Sequence, residues 1–360
     1  MGSTTSPSDK IILVTGINGY IASHIGLILL QKGYIVRGTS RSESAHAHLI
    51  SGAFKSFADR YQHAVVPDIT APGAFDDAVR SVHAIIHTAS PVDFTLTSVE
   101  AFIRPAVDGT LSILNSALVH AGPQLASVVV TSSVAAVVDK WRQPPTHAYS
   151  EADWNISGES VVRETFTAPV AYGASKAAAE GALWDFVATH EPAQRWSVSA
   201  VNPGVVTGPP VSFPETPEKL NETLAPIWRV YSGSQEMPPQ IGGASYIDVR
   251  DVADMHIWCV EHPDQANGQR YLMTNGKAPP QAAADFLREK FPDRDIVEGT
   301  PGLGYRKDDY WFVEGEPSLV ANKAYKALGV ERFIRYDKSI LDTVEAFERR
   351  WPGYAKNLKR

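Results

Sequence analysis

Lys10-Ile-Ile-Leu-Val-Thr15-Gly16-Ile-Asn18-Gly19-Tyr20-Ile21-Ala22 decides the fold. The run up to Thr15 is apolar and rich in β-branched residues, the pattern of a strand buried on both faces. Gly16-x-x-Gly19-x-x-Ala22 follows at once and opens a helical stretch that ends near Gly33. A pyrophosphate needs backbone N–H groups at a helix N-terminus, where the dipole favours anions. Glycines permit that approach, and a small third residue lets the helix meet the strand. The triplet alone is weak; its place between the first buried strand and the first helix marks a dinucleotide site. Gly16, Asn18, Gly19, Tyr20 and Ile21 are its candidate residues.

Outward from this turn, apolar β-rich runs at 34–39, 63–67, 84–88, 127–131 and 196–201 alternate with helical segments, one of them at 105–120. Repeated βα units demand a parallel sheet with helices on both faces, so the fold class is α/β, a Rossmann-type doubly wound sheet. The regularity changes after Asn202. Residues 203–243 are rich in Pro and Gly, with a helix expected at 218–231. The run 246–249 and the helix after it look like a return to the sheet, and 270–274 reads as another strand. Helices are expected at 280–290, 318–328 and 338–349. The organisation expected is a dinucleotide-binding domain at 9–203, with 246–263 returning to it. A smaller, mainly C-terminal substrate-binding lobe would take 204–245 and 264–350.

Bulk properties narrow the function classes. The 360 residues are 44% hydrophobic and 20% charged, with a formal net charge of −7, an ordinary globular balance. Nucleic-acid binding needs a clustered basic face, which this chain lacks. No run approaches the ~18 apolar residues of a membrane span. The single cysteine, Cys259, excludes an internal disulfide and a Cys-based metal site; it reads as a small buried apolar residue of a helix. Low cysteine use fits a reducing cytosol, so a cytoplasmic location is expected. Met1–Ser8 is polar without a signal-peptide core; Gly2 and Ser6 match the bare myristoylation pattern but have no basic cluster nearby. His46-x-His48 and the pair His83 and His87 lack a carboxylate at ligand spacing, so no metal is expected. Monomer and homodimer are both compatible with the sequence.

The end of the second strand bears on which dinucleotide binds. An acidic residue there would accept from the ribose 2′-hydroxyl of NAD. This chain has Thr39, Ser40 and Arg41, with Arg37 inside the strand. A guanidinium pairs bidentately with the 2′-phosphate of NADP, which favours NADPH. Asp68, followed by Ile69 after the third strand, is placed either to accept from the adenine amino group or to cap a helix. Thr88, Ala89 and Ser90 close the fourth strand with small residues that let a cofactor lie flat. Pro203, Gly204 and Val205 close the sixth, where backbone groups meet a carboxamide.

Tyr172-Gly-Ala-Ser-Lys176 begins a strong helix, and i, i+4 places Tyr172 and Lys176 on one face. A free phenol has a pKa near 10, and an adjacent ammonium favours the phenolate. Such a tyrosine can give a proton to a carbonyl oxygen while hydride reaches the carbon. Thr131-Ser-Ser133 closes the fifth strand, and ligands of open α/β sheets bind outside the carboxyl ends of strands. A hydroxyl there is placed to bond the same oxygen.

These motifs together resemble the extended short-chain dehydrogenases/reductases, and within them the fungal NADPH-dependent aldehyde and ketone reductases related to plant dihydroflavonol reductases. The carriers are Thr15–Ala22, Arg37–Arg41, His87–Pro91, Thr131–Ser133, Glu151-x-x-Trp154, Tyr172–Lys176, Asn202-Pro-Gly204, Met237–Gln240 and Tyr246–Ala253. The resemblance implies a Ser133–Tyr172–Lys176 catalytic set, with Lys176 also holding the nicotinamide ribose. One departure stands out: relatives often carry a second basic residue shortly after Arg41, where this chain has Ser42-Glu-Ser-Ala-His46.

Apolar Phe94, Val134, Val205 and Val206 near the reactive edge, with Trp228 and Met237 in the second lobe, suit a small hydrophobic carbonyl substrate. The segment from Ser133 to Tyr172, with Trp141 and Trp154, is long enough to cover a site. Reduction of an aldehyde or ketone is the leading expectation. A nucleotide-sugar epimerase or steroid-type dehydrogenase on the same scaffold is the alternative. A non-enzymatic NADP-binding redox sensor is disfavoured by the intact Tyr and Lys.

Overall fold

The structure, a computed structural model, describes residues 7–90, 92–191 and 193–355. Gly2, Ser6 and Pro91 lie outside the described residues. The strands are β1 Ile11–Thr15, β2 Ile35–Ser40, β3 Tyr61–Val65, β4 Ala84–His87, β5 Ser127–Thr131, β6 Ala148–Tyr149, β7 Ser197–Pro203, β8 Val205–Thr207, β9 Tyr246–Asp248, β10 Gln269–Met273 and β11 Ser318–Leu319.

Seven of them form the main sheet in the order β10-β7-β5-β4-β1-β2-β3. The ladders β3–β2, β2–β1, β1–β4, β4–β5 and β5–β7 are all parallel. The chain order reverses between β1 and β4, the switch point where open α/β sheets bind ligands. The buried runs read from sequence explain the centre of the sheet: Leu13, Ile85, Val128 and Val198 come from neighbouring strands and share one core with Phe75, Ile113, Leu183 and Phe186. Strands buried on both faces carry apolar residues without alternation.

Two long helices frame the site. Val99–His120 begins where Ser98 Oγ accepts from the Ala101 N–H at 3.4 Å. Ala168–His190 starts with Pro169 in its first turn, a position where the missing N–H costs nothing.

The chain divides into two compact units. The first comprises 1–142, 151–202 and 253–271; the second comprises 143–150, 203–252 and 272–360. The return to the first unit is thus 253–271, later than the 246–263 expected from sequence. The reason is local: β9 pairs in parallel with β8, Val205 against Tyr246, and not with the main sheet. Within the second unit β11 pairs with β6, so the helix expected at 318–328 starts only at Asn322. The helix expected from 218 starts at Leu224, because Asn221 Oδ1 captures the N–H groups of Thr223 and Leu224. Among the described residues no helix is long and apolar enough to cross a membrane.

Candidate active site

Thr15, the last residue of β1, ties two strand ends together. Its hydroxyl oxygen accepts from the N–H groups of Thr88 and Ala89, each at 3.0 Å. Its own proton goes to His87 Nδ1, also 3.0 Å away, which makes His87 the tautomer protonated at Nε2. Thr88 Oγ1 donates back to the Thr15 carbonyl. His87 is held neutral: burial, and after it the charge of Lys176, push its pKa down to about 3.

Gly16 follows in the left-handed region, with φ of +65°. A β-carbon there would stand 3.3 Å from Ala89, so the cradle between turn and β4 exists only because Gly16 has none. The Ile17 N–H donates to the Thr39 carbonyl at 2.9 Å and the Gly16 N–H to Thr39 Oγ1 at 3.3 Å, stitching the turn to β2. The helix Tyr20–Gln31 starts from Gly19, which offers no side chain to cap it. Its positive end therefore meets bare backbone, which fits a dinucleotide's phosphates.

Of the two arginines expected at the 2′ end of the site, only Arg41 stands exposed past the end of β2. Arg37, the other residue expected there, is bonded within the first unit. Its guanidinium donates to Gln62 Oε1 at 3.0 Å and to the carbonyls of Ala78 and Arg80 at 2.9 and 2.7 Å. It braces β2 against the 78–80 turn. Asp68 caps no helix either. Its Oδ1 accepts from the Thr70 N–H at 2.9 Å and hydroxyl at 2.7 Å, and the latter bond holds its pKa low. Ile69 packs against the core of the first unit.

The three serine and threonine hydroxyls that end β5 are sorted by their bonds. Thr131 Oγ1 lies 2.7 Å from His256 Nε2. Ser132 Oγ donates to Glu180 Oε2 at 2.5 Å. Ser133 Oγ accepts from the Ala135 N–H at 3.1 Å, which leaves its own proton uncommitted. Tyr172 lies in the same unit, its ring 5.6 Å from that of Phe94 and 5.9 Å from Lys176 Nζ. Lys176 is 7% exposed, and among the described residues no carboxylate pairs with it. Val134, next to Ser133, and Ser90, at the end of β4, are half-buried.

Glu180 was missed by sequence reasoning, yet it organises this edge from beneath. Its carboxylate accepts from Ser132, from Asn202 Nδ2 at 2.7 Å and from Arg270 Nε at 2.5 Å. Asn202 Nδ2 also reaches the Ser133 carbonyl at 3.3 Å. Arg270 stacks its guanidinium 3.8 Å over Trp154 and donates to the carbonyls of Glu151 and Asp153. The available signal was spacing: Glu180 stands one helical turn beyond Lys176. Asp139, also missed, gathers the N–H groups of Trp141, Arg142, Ile156 and Ser157 and closes the loop after Ser133.

The remaining candidates lie in the second unit. Gly204 sits so close to Ser245 that a β-carbon would fall 2.8 Å from its carbonyl oxygen. Pro203 and Val206 are buried. Val205 lines a cavity of about 40 Å³ with Thr207, Ile227, Val230, Tyr246 and Tyr336. Trp228 is not among its walls; it is core, packed edge-on against Phe347 and Trp351. Met237 is half-buried, its methyl against Gly299. Cys259 is buried as expected, its thiol pushed up to about 12 by burial.

Residues 12–273 match the NAD dependent epimerase/dehydratase family. The chain is 34% identical over 304 residues to the NADPH-dependent methylglyoxal reductase GRE2 of Saccharomyces cerevisiae, covering 81% of this chain and 86% of that one. It is 30% identical to aldehyde reductase 2 of Sporidiobolus salmonicolor, covering 94% and 96%. The solved structure of yeast methylglyoxal/isovaleraldehyde reductase Gre2 complexed with NADPH superposes with a TM-score of 0.83 at 30% identity, covering 94% of this chain and 98% of that one. Motif, topology and similarity agree: this chain belongs to the NAD-dependent epimerase/dehydratase family, the extended short-chain dehydrogenases/reductases.

Proposed function

We propose that this protein reduces an aldehyde or ketone to the alcohol with NADPH, using Ser133, Tyr172 and Lys176. The observation that carries the reading is the division of labour at the end of β5: Ser132 is committed to Glu180, while Ser133 keeps a proton to give. The names of its relatives, NADPH-dependent and aldehyde reductases, support the same chemistry.

NADPH, when bound, supplies the hydride. The turn Gly16–Ile21 would hold its phosphates, Arg41 the 2′-phosphate, and Thr88–Ser90 the nicotinamide half. Ser133 donates a hydrogen bond to the substrate oxygen and polarises the carbonyl. Tyr172 transfers its phenolic proton to that oxygen as the carbon takes hydride, so the product is a neutral alcohol and a phenolate remains on the enzyme. The Lys176 ammonium stabilises that phenolate. Phe94 and Val134 give the reacting edge apolar walls, which favours a hydrophobic substrate.

Tyr172→Phe removes the acid and keeps the ring. Turnover of NADPH against a panel of aldehydes and ketones should fall about a hundredfold to ten-thousandfold, with NADPH still bound in fluorescence titration. Retained turnover would remove Tyr172 from the chemistry.

A further inference from the structure

Asn155 stands between the turn that carries Ser133 and the helix that carries Tyr172. It follows Trp154 in the long segment after Ser133 and is buried. A buried amide needs partners, and this one has them at both ends. Asn155 Nδ2 donates to the Ala135 carbonyl at 2.9 Å, and Asn155 Oδ1 accepts from the Gly158 N–H at 3.0 Å. A carbonyl on one side and an N–H on the other admit only this orientation of the amide. The Asn155 N–H donates to the Ala136 carbonyl at 2.9 Å. Ala135 donates its own N–H to Ser133 Oγ, and Ala136 donates to the Ser133 carbonyl at 3.0 Å. Asn155 thus holds, by two bonds, the short turn Val134–Ala136 that Ser133 caps.

The same amide meets the helix Ala168–His190. Gly173, next to Tyr172, is buried. A β-carbon there would stand 3.1 Å from Asn155 Nδ2 and 3.6 Å from the Ala135 carbonyl oxygen. Gly173 lies within a regular helix and outside the left-handed region, so its backbone does not call for glycine. Glycine weakens a helix interior, and the close approach of the Asn155 amide accounts for its presence. Asn155 is also fixed in place. Asp139 Oδ2 takes the N–H groups of Ile156 and Ser157 at 3.1 and 2.9 Å. The helix Gly158–Glu164 then packs Val162 against Ala171 and Ala174.

We propose that Asn155 is a positioning residue, a wedge that sets the spacing between the Ser133 hydroxyl and the Tyr172 phenol. Gly173 provides the room it fills. Ser133 and Tyr172 must reach one carbonyl oxygen together, and a misplacement of about 1 Å can cost about a hundredfold in rate. This rests on the roles of Ser133 and Tyr172 proposed above.

Gly173→Ala is the sharpest test, because stability and activity part. Alanine is the better helix former, so the melting temperature should hold or rise. Its methyl presses on the Asn155 amide and shifts Tyr172 from Ser133, so kcat should fall about tenfold. The Kd for NADPH, read by fluorescence titration, should stay at the wild-type value. Rates are taken on the carbonyl compound of the panel that wild type reduces fastest. Asn155→Asp keeps an acceptor for Gly158 but sets a carboxylate oxygen against the Ala135 carbonyl; kcat should again fall about tenfold at an unchanged Kd. In an Asn155→Ala background, Gly173→Ala meets only the Ala135 carbonyl at ordinary contact distance and should cost less than about twofold. A wild-type kcat in Gly173→Ala, or an equal cost of its methyl with and without the Asn155 amide, overturns the proposal. So does a fall in kcat matched by lost NADPH binding or a lowered melting temperature in Gly173→Ala, which is the mark of a folding defect. Tyr172→Phe separates the two readings. If it keeps turnover, the catalytic reading and this proposal fall together. If it abolishes turnover while Gly173→Ala and Asn155→Asp run at the wild-type rate, only this proposal falls.

Discussion

A buried histidine one bond from the reacting edge gives this protein an acid-sensitive point. His87 accepts a hydrogen bond from Thr15 and has Lys176 nearby, and both its burial and that charge oppose protonation. Its pKa drops from the ordinary 6.5 to about 3 in the fold. Between those values the unfolded chain binds a proton that the folded chain does not. The stability involved is therefore fully present above the unfolded value and is lost as pH falls toward the folded one, by at most roughly 1.4 kcal/mol per pH unit. His87→Asn keeps an acceptor for Thr15 but cannot titrate. Its melting temperature should fall less steeply than wild type on acidification below about pH 6.5; parallel acid slopes would show that other groups carry the loss. The sequence showed His87 only as the start of a motif and a histidine without a carboxylate at ligand spacing, because tautomer and neighbours come from long-range contact. The same limit separated the arginines: Arg37 and Arg41 look alike in sequence, and only the carbonyls of Ala78 and Arg80 reveal that Arg37 is a brace.

The helix Ala168–His190 carries function and support on one face. Tyr172, Lys176 and Glu180 follow at intervals of four, so whatever fixes Glu180 also fixes the height of the other two. Glu180 and Arg270 form an ion pair with side-chain exposures of 0% and 8%. Such a pair is costly to split, because the survivor is a buried charge without its partner. Glu180→Gln should cost about 3–5 kcal/mol in denaturant unfolding. The double change Glu180→Gln with Arg270→Met should recover much of that loss, since it removes both charges. A double variant no more stable than the single would mean that hydrogen bonds to Ser132 and Asn202, not charge, dominate. The β1–β5 strands and the Pro280–Lys290 helix were legible from apolar runs and flanking residues. Tyr246–Asp248 was legible as a strand but its sheet was not: a three-residue β-rich run fits any open strand edge, and its partner β8 lies some forty residues upstream.

The division of the chain into two units gives cofactor binding a spatial signature. The phosphate turn, Arg41, the end of β4, Ser133, Tyr172 and Lys176 all lie in the first unit; of the cofactor candidates only Pro203–Val205 belong to the second. That discontinuity was visible in outline as a loss of βα regularity after Asn202, but the segment 143–150 was not assigned to the second unit, because its strand is only two residues long and pairs with Ser318–Leu319. If the candidate residues hold NADPH, binding stabilises the state that contains their arrangement. At NADPH about a hundredfold above Kd the linkage contributes about 2.7 kcal/mol, which should appear as a raised melting temperature. Amide exchange should slow most at 16–22, 39–41, 87–90 and 131–133. Local openings in the second unit, at the Pro280–Lys290 and Tyr336–Arg350 helices, should slow less, because no candidate cofactor residue lies on them. Protection centred on those two helices would instead move the dinucleotide site out of the first unit and contradict the motif from which the fold was read.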